Sequence, residues 1–378
     1  MNILKYLDNA ATTPLSPEMK KYLTSALDVF GNPSSAHTEG VKSNRLIAEV
    51  RNKVARLINA DDTENIYFTS SGSASNTLGI WGYAVANMCT ILYSPTVHKS
   101  ILKTIGNLAK FYNTNAYELK VDTCGNIDIR YLYQMLKTIK GNMLVAVECA
   151  NSEIGTIQDT KTISRVVHKY GERLFVDCTG SISTIPLDVT GLNIDMVSFS
   201  AHKIGALKGV GVLYKKEDVE LAPLICGSQE QGLFAGTENV LGILSLGKAI
   251  DLMSYTKTSY NRDFVWNNIK EIEGISLIGA PLDMNRLINN LYICIKDVRG
   301  SDIATLIDDL YKIQISTGSA CNNGSSTPSS TALAIGLSVE EANSCVRISF
   351  SGDETEDELK EFCENFGTCI KMLRDLND

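Results

Sequence analysis

The run Met143-Leu-Val-Ala-Val-Glu-Cys149 has almost no polar alternation. A strand with one face in water alternates apolar and polar residues, so a run like this suits a strand buried on both faces of a parallel sheet. Shorter apolar runs at Ile66–Thr69, Thr90–Tyr93 and Leu174–Val176 are separated by stretches of helical periodicity. Strand and helix in regular alternation predict an α/β layered fold. Ser16-Pro17 caps and starts a helix expected to reach Phe30, and Val41, Arg45, Ala48, Val54, Leu57 and Ile58 mark a second, longer one. From about Tyr255 the character shifts. A helix is expected over Ser259–Glu273, a strand over Leu291–Ile295, a helix over Asp302–Leu310, strands over Lys312–Ser316 and Cys345–Phe350, and a charged final helix, together a smaller α+β unit. No internal repeat or low-complexity linker interrupts the chain.

The chain has 378 residues and a net charge of −8, which disfavours nucleic acid or an anionic membrane as the main partner. No run approaches the ~18 apolar residues of a membrane helix, and Met1-Asn-Ile-Leu-Lys5 lacks the signature of an export signal. The ten cysteines include no C-x-x-C pair and there are only four histidines, so metal-ligand spacing is absent. Free thiols at that density suit a reducing cytoplasm.

Chemistry concentrates in five places. Asp195-Met-Val-Ser-Phe-Ser-Ala-His-Lys203 is a short strand, Met196 to Phe199, that delivers Ser200, His202 and Lys203 at its polar end. A second strand follows, Val210 to Tyr214. A lysine partly desolvated there can form a Schiff base with a carbonyl, although a surface lysine in a hairpin would read the same way locally. Tyr67-Phe-Thr-Ser-Ser-Gly-Ser-Ala-Ser-Asn76 is a strand, a small-residue turn and a helix start, whose exposed N–H groups can cradle a phosphate. Many such turns are rich in Gly and Ser for geometry alone. Asp177 ends the strand Arg173-Leu-Phe-Val-Asp177, where open α/β sheets bind ligands; it can pair with a protonated ring nitrogen or merely cap the next turn. His98 follows a short strand and can stack on an aromatic ring or be a plain loop residue. Finally, Ser316-Thr-Gly-Ser-Ala-Cys-Asn-Asn-Gly-Ser-Ser-Thr-Pro-Ser-Ser330 sets Cys321 in a small, polar and hence mobile loop. The other nine cysteines are expected to be buried and inert, which leaves Cys321 as the candidate reactive thiol, with a reference pKa of about 8.5.

These residues fall into an ordered set of motifs: Leu-Asp-Asn-Ala-Ala-Thr-Thr-Pro (7–14), Gly-Asn-Pro-Ser-Ser-Ala-His (31–37), Phe-Thr-Ser-Ser-Gly-Ser (68–73), Ser-Glu-Ile-Gly (152–155), Val-Asp (176–177), Ser-Phe-Ser-Ala-His-Lys (198–203), Ala-Gly-Thr-Glu-Asn (235–239), Gly-Ser-Ala-Cys (318–321) and Val-Arg-Ile-Ser (346–349). In these, over nearly its whole length, the chain resembles the cysteine desulfurases, pyridoxal-phosphate enzymes of the class V aminotransferase fold. The resemblance implies a PLP-transferase architecture: a large domain (15–255) with a mostly parallel seven-stranded sheet between helices, and a small α+β domain (1–14 with 256–378) carrying the cysteine loop. It implies pyridoxal 5′-phosphate held as a covalent aldimine on Lys203, with Gly72, Ser73, Ser200 and His202 around its phosphate. Thr237 would complete that site from the partner subunit of a homodimer. His98 would stack on the ring, with Ser152 beside it, and Asp177 would hold its nitrogen. Arg347 would grip the carboxylate of L-cysteine, with Asn32 nearby. Lys203, Cys321 and His98 would be the catalytic residues, yielding L-alanine and a persulfide on Cys321. The stretch from Cys321 to Pro328 is similar to the longer-loop branch, implying transfer to an acceptor protein in iron–sulfur cluster assembly or thiolation.

The chain also departs from the family pattern. Gly180 stands where a Gln usually bonds the ring hydroxyl, and Ser152 where an Asn usually assists. Gln231 and Phe234 replace two arginines, Ala74 replaces a common Glu, and Gly-Ala-Leu-Lys-Gly follows Lys203 in place of Gly-Pro-Lys-Gly. These changes thin the hydrogen bonding around the cofactor and leave its attachment intact. Two further readings stay open: a related pyridoxal-phosphate enzyme such as a selenocysteine lyase or β-lyase, and a low-activity paralogue that scaffolds sulfur transfer.

Overall fold

The computed structural model describes residues 5–255, 258–317 and 327–376. Its strands in chain order are β1 (Lys5–Tyr6), β2 (Ile66–Thr69), β3 (Thr90–Tyr93), β4 (Ala116–Glu118), β5 (Met143–Glu148), β6 (Arg173–Asp177), β7 (Met196–Ser200), β8 (Gly211–Lys215), β9 (Ile275–Leu277), β10 (Asn290–Ile295), β11 (Ile313–Gln314) and β12 (Cys345–Ser349). Seven of them form one sheet in the order β2-β8-β7-β6-β5-β3-β4. The pairs from β7 through β4 are parallel, whereas β8 runs antiparallel to both β7 and β2.

The apolar run at β5 is buried on both faces. Val145 and Val147 enter one core, packed under the helices Thr38–Leu57, Thr160–Lys169 and Val240–Leu252. Leu144 and Ala146 enter the opposite core, under the helices Gly72–Asn87 and Lys99–Tyr112. Neither face of this strand can tolerate polar alternation, because water reaches neither.

A second sheet, β12-β10-β9, is antiparallel and packs against the helices Tyr260–Ile269, Gly300–Tyr311 and Glu356–Asp375 around its own core. Leu7 joins that core, and β1 pairs in parallel with β11, so the N-terminal residues are built into the C-terminal unit. Among the described residues, no helix is long and apolar enough to cross a membrane.

Several element ends differ from the sequence expectation. The first helix stops at Ala26 rather than Phe30, and the helix from Tyr260 stops at Ile269 rather than Glu273. The strand expected over Lys312–Ser316 is only Ile313–Gln314, with Ser316 then forming a separate bridge to Arg347. Of the nine described cysteines Cys226 is exposed and Cys124 and Cys363 are half-buried, which corrects the expectation that all nine are buried.

Candidate active site

The C-terminal ends of the parallel strands open on a cavity of 330 Å3. That is where open α/β sheets place ligands, and its size is that of a small ligand pocket. Asp177 closes β6 there, and the turn after β7 brings in His202 and Lys203. Gly72 and Ser73 begin one helix, His98 caps another, Ser152 follows β5, and Arg347 comes from β12. Ser200, the last residue of β7, completes the set. Nine of the residues singled out in the sequence thus line one space.

Three do not. Asn32 lies outside the cavity wall, exposed, with its Oδ1 accepting from the Ser34 backbone N–H at 2.9 Å. Thr237 is exposed and also off the wall. Cys321 lies outside the described residues, but both ends of its segment are placed. Ser316 exchanges backbone hydrogen bonds with Arg347, at 3.0 and 2.6 Å, and Ser330 and Thr331 line the cavity.

Lys203 Nζ donates to the carbonyls of Ala10 and, at 2.8 Å, Ala11. Thr13 ties the same N-terminal segment to the lysine turn: its hydroxyl donates to Lys203 O at 2.9 Å and its N–H to His202 O at 3.1 Å. His202 Nδ1 stands 3.0 Å from Thr12 Oγ1. Burial, with the neighbouring charges of Lys203 and Lys208, pulls its pKa down to about 4, so its imidazole is neutral near pH 7. His98 Nδ1 accepts from the Ser100 N–H at 3.1 Å, which assigns the ring hydrogen to Nε2.

Asp177 is buried, and its carboxylate accepts from Asn76 Nδ2 at 2.9 Å and from the Thr179 N–H at 2.8 Å. The same Asn76 amide donates to Ser100 Oγ at 3.0 Å, and Asn76 Oδ1 accepts from Ser198 Oγ. Arg347, 3% exposed, donates to Asp8 Oδ1 at 2.8 Å and to Ser152 O at 3.1 Å. Two further acids face the cavity. Glu153 accepts from Tyr292 OH at 2.9 Å, and burial raises its pKa, as it does that of Glu148.

Sequence reasoning missed Asn76, Ser100, Asp8, Glu148 and Glu153. Two of these carried a signal: Asn76 is a weak helix former one turn inside a helix, and Glu148 is the lone acid in an apolar strand.

The residues fit pyridoxal phosphate. Asp177 is a buried carboxylate whose described donors are both neutral, which suits a cationic ring nitrogen as the missing partner. A Cβ on Gly72 would stand 3.0 Å from Ser200 Cβ and 3.4 Å from Thr179 Oγ1. Glycine therefore lets the helix N-terminus close on the Ser200 hydroxyl, forming an anion cradle. A second cavity, of 770 Å3, adjoins the first and shares Ala10, Ser152, Thr179, Gly180 and Lys203 with it.

Comparison with known proteins gives matches along the whole chain. The family model for aminotransferase class-V matches residues 5–362. The chain is 34% identical to cysteine desulfurase IscS 1 of Archaeoglobus fulgidus, covering 99% of each, and 35% identical to cysteine desulfurase IscS of Dictyoglomus turgidum, covering 98% of this chain and 96% of that one. It is also similar to the X-ray structure of a NifS-like protein from Rickettsia africae, with a TM-score of 0.88 and 29% identity over 98% of this chain and 100% of the other.

Proposed function

The chain belongs to the aminotransferase class-V family, which is pyridoxal-phosphate-dependent, and on that premise we propose that it is a cysteine desulfurase that turns L-cysteine into L-alanine and a persulfide on Cys321. The observation that carries this reading is a convergence. Lys203, Asp177, His98 and Arg347 come from separate elements yet line one cavity, and of the described residues on either side of Cys321, Ser316 bonds Arg347 and Ser330 lines the cavity wall.

Bound pyridoxal phosphate supplies an electron sink that stores the charge left when a proton leaves the substrate Cα. The chain's own residues do the rest. Lys203 would carry the cofactor covalently, and its amine, when free, would move the substrate Cα proton. Gly72, Ser73, Ser200 and neutral His202 would bind the phosphate, and Thr237 would complete that site from a second copy of the chain in a homodimer. Asp177 would hold the ring nitrogen, His98 would stack on the ring, and Ser152 would lie beside it. Arg347 grips the substrate carboxylate with two parallel hydrogen bonds, and Asn32 lies near that carboxylate. Cys321, as thiolate, forms a bond to the substrate sulfur as the carbon–sulfur bond breaks, leaving the three-carbon product to take up protons as alanine.

The large domain spans 15–255, and the small one is 1–14 with 256–378; the membership of Leu7 in the C-terminal core supports that division. The enzyme works in the cytoplasm and passes sulfur to an acceptor protein of iron–sulfur cluster assembly or thiolation, a reading supported by the IscS relatives.

The test is an absorption spectrum before and after adding L-cysteine, with alanine and sulfide assayed. A cofactor band that shifts with cysteine, and alanine formation that is lost in Cys321→Ala, are the expected results. A band that ignores cysteine, or alanine formation undiminished in Cys321→Ala, would overturn the proposal.

A further inference from the structure

Glu148 is the last residue of β5 and stands in register with Asp177, the last residue of β6, so two carboxyl groups share one edge of the sheet. Both are 4% exposed and both line the 330 Å3 cavity. Their surroundings differ. Each oxygen of Asp177 accepts a hydrogen bond, from Asn76 and from the Thr179 N–H. Glu148 accepts one, from the Thr96 hydroxyl to Oε1, and its buried Oε2 has no partner among the described residues. The Asn151 amide, which donates to Thr96 O at 2.8 Å, and the backbone N–H of Glu148 also act on this carboxyl group, and the Thr96 hydroxyl stands 2.7 Å from Ser94 Oγ. No Lys, Arg or His among the described residues forms an ion pair with Glu148.

Two buried carboxyl groups on neighbouring strand ends do not both ionise cheaply, and the charge settles on the better-solvated one. Asp177 has a donor on each oxygen whereas Glu148 Oε2 has none among the described residues, which assigns the charge to Asp177. We propose that Glu148 is a positioning residue of the cofactor pocket, held as an un-ionised carboxylic acid so that Asp177 carries the only negative charge beneath the ring nitrogen. This role rests on the pyridoxal-phosphate reading. Glu148 acts through Asp177: it keeps the proton affinity of the ring nitrogen set by one carboxylate rather than two. Burial pushes its carboxyl group above the ordinary range against hydrogen bonds from Thr96, its own backbone N–H and Asn151, with a smaller push from the Asp177 charge, in keeping with that state. The other titratable groups facing the cavity are Asp177 of β6, His98 and Lys99 at the head of their helix, Glu153, His202 and Lys203, and Arg347 of β12.

The test compares the cofactor-loaded wild type with Glu148→Gln, an uncharged isostere. Infrared difference spectra at neutral pH are expected to show the carbonyl stretch of an un-ionised carboxylic acid in the wild type that Glu148→Gln lacks. On raising the pH, the cofactor absorption band of the wild type is expected to shift in one transition that disappears in Glu148→Gln. A second variant, Thr96→Val, removes the hydroxyl donor to Glu148 Oε1 and moves that transition to higher pH. A carboxylate signature for Glu148 at neutral pH, or a transition that persists unchanged in Glu148→Gln, overturns the proposal. A wild type that shows no cofactor band overturns the pyridoxal-phosphate reading and this role with it, whereas a band accompanied by an ionised Glu148 overturns this role alone.

Discussion

Asn76 donates one amide hydrogen to Asp177 Oδ2 at 2.9 Å, and the same amide donates to Ser100 Oγ at 3.0 Å. Ser100 in turn supplies the N–H that fixes the His98 ring at 3.1 Å. Asp177 and His98, the residues proposed to hold the ring nitrogen and to stack on the ring, are therefore linked through Asn76 and Ser100. A hydrogen bond to a charged group contributes about 1.5–3 kcal/mol. Asn76→Ala should accordingly weaken pyridoxal-phosphate binding by roughly tenfold to a hundredfold, since every 1.4 kcal/mol is tenfold. Fluorescence titration of the apo-protein measures this, and unchanged affinity would remove Asn76 from the site.

Arg347 engages Asp8 and the Ser152 carbonyl through separate nitrogens of its fork. A lysine has the charge but neither the plane nor the paired donors, so it cannot hold a carboxylate bidentately. Arg347→Lys should raise KM for cysteine by about tenfold or more and lower kcat much less. Steady-state alanine formation separates the two constants. A loss confined to kcat would mean that Arg347 does not grip the substrate.

The His202 pKa lies at about 4 in the folded chain, against 6.5 for the free side chain. Between those values the unfolded chain binds more protons at this position than the folded one, so stability rises with pH across that window. Acidification from pH 6.5 to 4 should therefore lower Tm, and His202→Gln should flatten that part of the profile. Glu148 acts in the opposite sense: its raised pKa gives stability that is present at low pH and lost as pH rises. Thermal unfolding of the two variants across pH distinguishes them, and parallel wild-type and His202→Gln profiles would contradict the His202 assignment.

What the sequence made legible is local. The strands Ile66–Thr69 and Thr90–Tyr93 have the ends their apolar runs predict, and Lys203, Asp177 and Gly72 fall where short motifs put them, at strand and helix ends. Ala116–Glu118 left no pattern, because it is a three-residue edge strand with two exposed residues. The pairings that shape the site were out of reach. Asn76 meets Asp177 across 101 positions, and Arg347 meets Asp8 across 339. Such contacts depend on how elements pack, not on any local period. Gly180 was legible as a departure, but its meaning required the structure.

An ideal Cβ at Gly180 would stand 2.6 Å from the carbonyl oxygen of Ala150 and 3.2 Å from Ser152 Cβ. The obstacle is main chain, held by the Ala150–Ile157 bridge and by the Asn151 N–H bond to Thr156 O at 2.9 Å, so it cannot swing aside as a side chain would. Gly180→Gln must displace that turn, and overpacking of this kind costs about 1–3 kcal/mol. The expected result is a lower Tm with no gain in cofactor affinity. Adding Ser152→Asn should not rescue it, because the nearest clash is with Ala150 rather than with the residue 152 side chain. The two positions are neighbours, so glycine at 180 is fitted to the path of the chain after β5, and restoring one side chain does not restore the other arrangement. Tighter pyridoxal-phosphate binding at an unchanged Tm in Gly180→Gln would show instead that the turn yields, and that the glycine is a simple loss of a ring contact.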